Sequence, residues 1–131
     1  MRRLGVIMNS TVFLLILCST VLSAFAQICL KYGMSHVTVV DALQSGNSTK
    51  VAFAILLNTS IMGGLLLYGA SAMSWLFVLA KVDVSYAYPF VALGFILTMI
   101  LGKVLLGDEL SLARILGTCV VVAGLAIVTH S

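Results

Sequence analysis

What most constrains this chain is where its charges are missing. No Asp, Glu, Lys or Arg lies between Arg3 and Lys31, between Lys50 and Lys81, or from Ile115 to the C-terminus, and apolar residues dominate each gap. A helix needs ~20 consecutive apolar residues to cross a bilayer, and a helix satisfies its own backbone hydrogen bonds there. The pattern therefore predicts an all-α membrane protein with four transmembrane helices, roughly 11–30, 56–80, 84–102 and 112–128, in one domain over residues 1–131. Composition agrees: the chain is 62% hydrophobic and 8% charged, far from the balance of a soluble domain.

No connection is long enough to form a soluble domain, so any chemistry happens in or beside the bilayer. The longest, residues 31–50, holds His36, Asp41 and the polar run Gln44 to Thr49, and reads as a solvated loop with His36 exposed. The net charge of +3 is small and spread over the connections, which suits lipid headgroups and excludes a nucleic-acid surface. Cys18, Cys29 and Cys119 fall inside spans without a CxxC or paired His, so they read as packing residues. No catalytic pair, metal set or cofactor-binding loop is found.

The N-terminus imitates a secretory signal peptide: Arg2 and Arg3, an apolar run, then Ala24-Phe25-Ala26 before Gln27. The apolar stretch is long for that role, and the reading adopted is a retained first span. Asn9, Asn47 and Asn58 each begin an Asn-x-Ser/Thr triplet, which means little without a known compartment.

Within the first span Ser19, Ser23 and Gln27 recur every four positions, and Lys31 extends the row. On a helix that spacing makes one stripe. An unsatisfied amide in hydrocarbon costs several kcal/mol, so Gln27 needs a partner. Two readings are open: interhelical hydrogen bonding, or a polar lane for a substrate.

The second apolar region is too long for one upright helix, and residues 51–60 read as interfacial or part of a tilted helix. Gly63, Gly64 and Gly69 permit close helix contact, and Trp75 reads as an interfacial anchor. Lys81-Val82-Asp83 is so short that spans two and three must be antiparallel neighbours.

The third span is introduced by Tyr86-Ala87-Tyr88-Pro89. Either Tyr86 and Tyr88 are belt residues with Pro89 in the first turn, or Tyr88 and Pro89 face a cavity. Lys103 either snorkels to the headgroups or meets a lipid phosphate. Asp108 and Glu109 read as capping residues of the last helix, outside the membrane. In that helix Gly117 and Gly124 lie two turns apart and form a candidate dimer interface.

Basic residues number three on the side of the termini (Arg2, Arg3, Lys81) and four on the other (Lys31, Lys50, Lys103, Arg114), so orientation is undecided. Four helices hardly enclose a path for a substrate, and a homodimer or a heterodimer with a similar four-helix subunit is expected.

These residues together resemble the drug/metabolite transporter superfamily, in the four-helix branch of the small multidrug resistance proteins. Gly117 and Gly124 in ILGTCVVVAGLAIV look like that branch's dimerisation motif, and LLGDELSLARILG looks like the superfamily's turn before the last helix. The closer resemblance is to the four-helix subunits that flip undecaprenyl-phosphate-linked aminoarabinose across the bacterial inner membrane. It is carried by Val21 to Lys31, with Ser23, Gln27, Cys29 and Lys31, and by Trp75 to Leu79 leading to Ala87-Tyr88-Pro89. The resemblance departs from the multidrug branch where that branch places its membrane-embedded glutamate, because Ser23 stands there, and Val91 replaces an aromatic. A cation-for-proton exchanger needs such a carboxylate.

The resemblance implies a flippase subunit for a lipid-linked polar headgroup, most simply a polyprenyl-phosphate sugar, in a bacterial inner membrane. Ser19, Ser23, Gln27 and Tyr88 would line its groove, and Lys31 or Lys103 would attract the phosphate. A small-solute or cation exporter with a coupling group from its partner, and a non-transporting scaffold subunit, stay open as alternatives.

Overall fold

The structure is a computed structural model that describes residues 10–131, apart from the side chain of Thr129. Arg2, Arg3 and Asn9 of the signal-like start lie outside the described residues. The elements are α1 (Ser10–Met34), α2 (Val37–Gln44), α3 (Ser48–Leu57), α4 (Thr59–Leu79), α5 (Val84–Ala87), a 3-10 turn (Tyr88–Phe90), α6 (Val91–Leu101), a π-helical stretch (Gly102–Leu106) and α7 (Leu112–His130). Among the described residues three segments are long and apolar enough to cross a membrane: Ser10–Met34, Thr59–Leu79 and Val84–Leu106. In α7 the apolar part is Leu112–Val128, which at 1.5 Å per residue reaches only about 26 Å.

The centre of the fold is the antiparallel pairing of α1 with α4. Glycines set how close the two helices come. A Cβ on Gly33 would lie 2.8 Å from Asn58 Oδ1 and 2.9 Å from the Ile61 nitrogen; one on Gly64 would lie 2.9 Å from Leu30 Cγ and 3.1 Å from the Ala26 oxygen. Ser19 and Ser71 then exchange hydrogen bonds across the seam: the Ser19 hydroxyl donates to the Ser71 carbonyl at 3.0 Å, and the Ser71 hydroxyl to the Ser19 carbonyl at 2.8 Å. Asn58 fastens the far end, accepting from the Ile61 N–H through Oδ1 and donating to the Gly33 carbonyl through Nδ2. At the opposite end Val12, Ile16, Val78, Val82 and Ala87 form a buried cluster, with Trp75, Tyr86 and Phe90 packed on it.

Several expectations need correction. The 31–50 connection is not an extended solvated loop: α1 runs on to Met34, and α2 and α3 fill most of the rest. The breaks are Ser35-His36 and the Ser45-Gly46-Asn47 turn, with Gly46 at φ +70°, where a glycine is favoured. His36, exposed as expected, caps α2 by accepting weakly from the Thr38 N–H. The long second apolar region breaks at Asn58, whose extended backbone ends α3 and whose side chain caps α4. Of Gly63, Gly64 and Gly69, Gly64 alone meets α1, because the other two face open space. Trp75 is partly buried and packs on the Val12–Val78 cluster at one end of the bundle.

The register makes a prediction. Gly33→Ala forces a Cβ onto the Ile61 backbone, which cannot move aside like a side-chain end, and should cost ~1–3 kcal/mol. Gly63→Ala meets open space and gains helix propensity, so it should be neutral or stabilising. Thermal unfolding of the two variants in detergent checks the contrast; equal melting temperatures would refute the α1–α4 register.

Candidate substrate-binding site

α1 presents Ser19 and Thr20 to the seam, but its next polar residues turn away from α4. Thr20 donates to its own Ile16 carbonyl at 2.7 Å and touches the α6 face, where a Cβ on Gly94 would lie 3.5 Å from Thr20 Cγ2. Small residues at that crossing let α6 rest on α1 while leaving space on both sides of the contact. Two cavities result. The smaller, of about 290 Å³, lies among Ser19, Thr20, Ser71, Tyr68, Trp75 and Tyr88. The larger, of about 790 Å³, lies between α1, α6 and α7 and is lined by Ser23, Gln27, Phe95, Thr98, Asp108, Arg114, Gly117 and Thr118, among others. That volume is in the range of ordinary ligand sites.

Ser23, Val91 and Gly94 border both cavities, so the two meet at the middle of α1. At the other end Asp108, Leu110 and Arg114 pass from the large cavity to an outer one of about 540 Å³ that also reaches Lys31, Glu109 and Ser111. A polar path thus follows α1 from Ser19 to Lys31, about 18 Å at 1.5 Å per residue. Gln27 and Phe95 are exposed, so the path is a groove open to its surroundings.

The Ser19–Ser23–Gln27–Lys31 stripe divides between two tasks. Ser19 is buried and its hydroxyl is engaged with Ser71, although it borders the small cavity. Ser23 and Gln27 make no side-chain hydrogen bond among the described residues. An amide left so in hydrocarbon would cost several kcal/mol, so Gln27 must meet water or a bound polar group in the groove. Tyr88 lines the small cavity and a further one with Pro89, Leu125 and Val128. Lys103 is exposed and borders none of the cavities described here. Gly117 lines the large cavity, and both it and Gly124 face open space on a helix with no buried side chain among those described.

In the sequence Arg114 reads only as a loop charge, and Asp108 as a cap. The cap of α7 is instead Ser111, whose hydroxyl accepts from the Arg114 N–H at 3.2 Å. Asp108 is turned back by Gly107, at φ +71°, which ends the π-helical stretch; the Gly107 and Asp108 N–H groups both donate to the Gly102 carbonyl. Glycine at 102 leaves room for the carboxylate, since a Cβ there would sit 2.8 Å from Asp108 Oδ2. The G-x-x-x-x-G-D pattern was the available signal, because a helix ending on an αL glycine folds the next residue back over its last turn.

The chain is 42% identical over 65 residues to a probable 4-amino-4-deoxy-L-arabinose-phosphoundecaprenol flippase subunit ArnE of Erwinia tasmaniensis, covering 50% of this chain and 60% of that one. It is 27% identical over 112 residues to a probable subunit ArnF of the same type from Sodalis glossinidius, covering 84% of each. An ArnE of Pseudomonas aeruginosa is 31% identical over 67 residues, covering 51% of this chain and 58% of that relative. The matches to the two ArnE relatives thus span about 60% of their length. No protein-family model matches the chain, and no solved structure does.

Cysteine accessibility tests the groove. With Cys18, Cys29 and Cys119 replaced by alanine, a cysteine at Gln27 or Ser23 should react with a charged, membrane-impermeant thiol reagent at least about tenfold faster than one at the fully buried Val78. Equal rates would mean that the groove is dry.

Proposed function

We propose that this chain is a flippase subunit that carries a polyprenyl-phosphate-linked amino sugar across a bacterial inner membrane. The observation that carries the reading is the groove along α1: neutral, unpaired polar groups at Ser23 and Gln27, ending on Arg114 and Lys31. Such a groove can replace water around a sugar without a charge in its middle, and the basic groups at its mouth can hold a phosphate. An opening along its side leaves the prenyl tail in lipid. The names of the relatives point to the same class of lipid-linked sugar.

In this reading α7 is a fourth span, and Gly117 and Gly124 lie at a dimer interface with an identical or similar four-helix subunit. The exposure of most of α7, with Thr118, Val122 and Leu125 only half-buried, supports that role. Ser19 and Tyr88 serve as the inner wall of the lane, Lys31 as a phosphate contact, and Lys103 as an anchor or lipid contact at the same membrane face. A proton-coupled cation exporter is disfavoured by the neutral middle of the groove, where Ser23 and Gln27 stand.

Native mass spectrometry of the purified chain, offered undecaprenyl-phosphate lipids and a panel of cationic drugs, tests the class of substrate. A prenyl-phosphate adduct that is lost in Gln27→Leu or Lys31→Ala is expected. Drug binding with no lipid adduct would replace this reading with the exporter. In reconstituted vesicles Gln27→Leu should abolish headgroup translocation while expression and oligomeric state persist; retained flipping would remove Gln27 from the lane.

A further inference from the structure

Asp108 and Arg114 line the same cavity and do not neutralise each other. The Asp108 carboxylate makes no hydrogen bond or ion pair among the described residues. Its place is set by the backbone instead: the αL turn at Gly107, the Asp108 N–H bonded to the Gly102 carbonyl at 3.1 Å, and the missing Cβ at Gly102. Arg114 is held separately, with Nη1 donating to the Glu109 carbonyl at 2.9 Å and its backbone N–H capped by Ser111. A guanidinium tied on one edge keeps its other N–H groups for an incoming acceptor.

Opposite charges placed this way on one cavity wall, each fixed by the backbone and not by the other, suit a ligand that carries both signs. The outer cavity brings Lys31 to the side of Arg114 and Glu109 to that of Asp108, so both signs continue outward. Inside the mouth the wall is neutral, with Ser23, Gln27 and Thr98. The anion would therefore be a phosphate held by Arg114 and Lys31, and the cation a protonated amine within reach of Asp108.

We propose that Asp108 is the residue that selects an amino sugar over an uncharged one, accepting hydrogen bonds from its ammonium while Arg114 and Lys31 hold the phosphate. This rests on the polyprenyl-phosphate reading above and assigns the recognition of the amine to one side chain. Gly102 is the positioning residue that gives the carboxylate its room.

The test uses the full chain in lipid nanodiscs and two probes: a short-chain polyprenyl phosphate bearing a 4-amino sugar, and the same lipid with that amine N-formylated. The amine lipid should bind at least about fivefold tighter, since only it offers a charge-assisted hydrogen bond to a carboxylate. Asp108→Asn should lower its affinity to that of the formylated lipid and leave the formylated lipid unaffected. Gly102→Ala, which keeps the carboxylate but displaces it, should have the same effect, and serves if Asp108→Asn does not fold. Arg114→Gln should weaken both lipids. An amine preference that survives Asp108→Asn and Gly102→Ala overturns the assignment and leaves the polyprenyl-phosphate reading standing on the formylated lipid. Failure of both lipids to bind the wild-type chain overturns the two together.

Discussion

The α1–α4 seam is the interaction on which the rest of the structure depends. In lipid the tails are as apolar as leucine, so helices gain little from hydrophobic burial and associate through close packing and hydrogen bonds. Here Gly33 and Gly64 permit the approach, and the reciprocal Ser19–Ser71 bonds and the Asn58 clasp set the register. Because residues from Val12 to Gly33 pair in order with residues from Val82 back to Asn58, the rotation of α1 about its axis is determined. That rotation decides which polar residues are consumed by packing and which are left facing away.

The remaining face of α1 receives α6 at the Thr20–Gly94 crossing, and α7 reaches the bundle mainly at α6 and the Tyr88–Phe90 turn. A helix so loosely applied leaves a groove instead of a sealed core. The groove has a chemical gradient along it: aromatic and hydroxyl groups near Trp75 and Tyr88, amide and hydroxyl groups in the middle, and both signs of charge at the Lys31 end. The charges gather at the end of the helices, where water solvates them, and the middle stays neutral, where an isolated charge would be most costly. In the proposed function that gradient matches a ligand with a polar sugar and a single phosphate.

Much of this was legible in the residues alone. The charge-free runs located the long apolar helices, since the hydrocarbon thickness demands a minimum length. The four-residue spacing from Ser19 to Lys31 marked one side of α1. The terminating motif around Gly107 is visible as a pattern, but it does not say which groups the returned Asp108 meets. A stripe does not reveal its own partner: Ser19 and Gln27 look equivalent in sequence, and one is bonded to Ser71 while the other faces open groove. Nor did composition distinguish Gly64, pressed on Leu30, from Gly63 beside it. The polar 31–50 connection looked like a solvated loop because its caps, His36 and Asn47, are polar residues, yet they start helices.

By itself, then, the sequence determined the class of the molecule: apolar helices of membrane-crossing length, no Asp or Glu within any predicted span, and basic residues kept near the span ends. These follow from composition and period, which act locally along the chain. Tertiary structure alone decided that Asp108 and Arg114 share a cavity with Gln27, residues about eighty positions away in the chain. The physical reason is that a site between helices depends on their rotation and crossing, and these are set by which small residues meet across the seam.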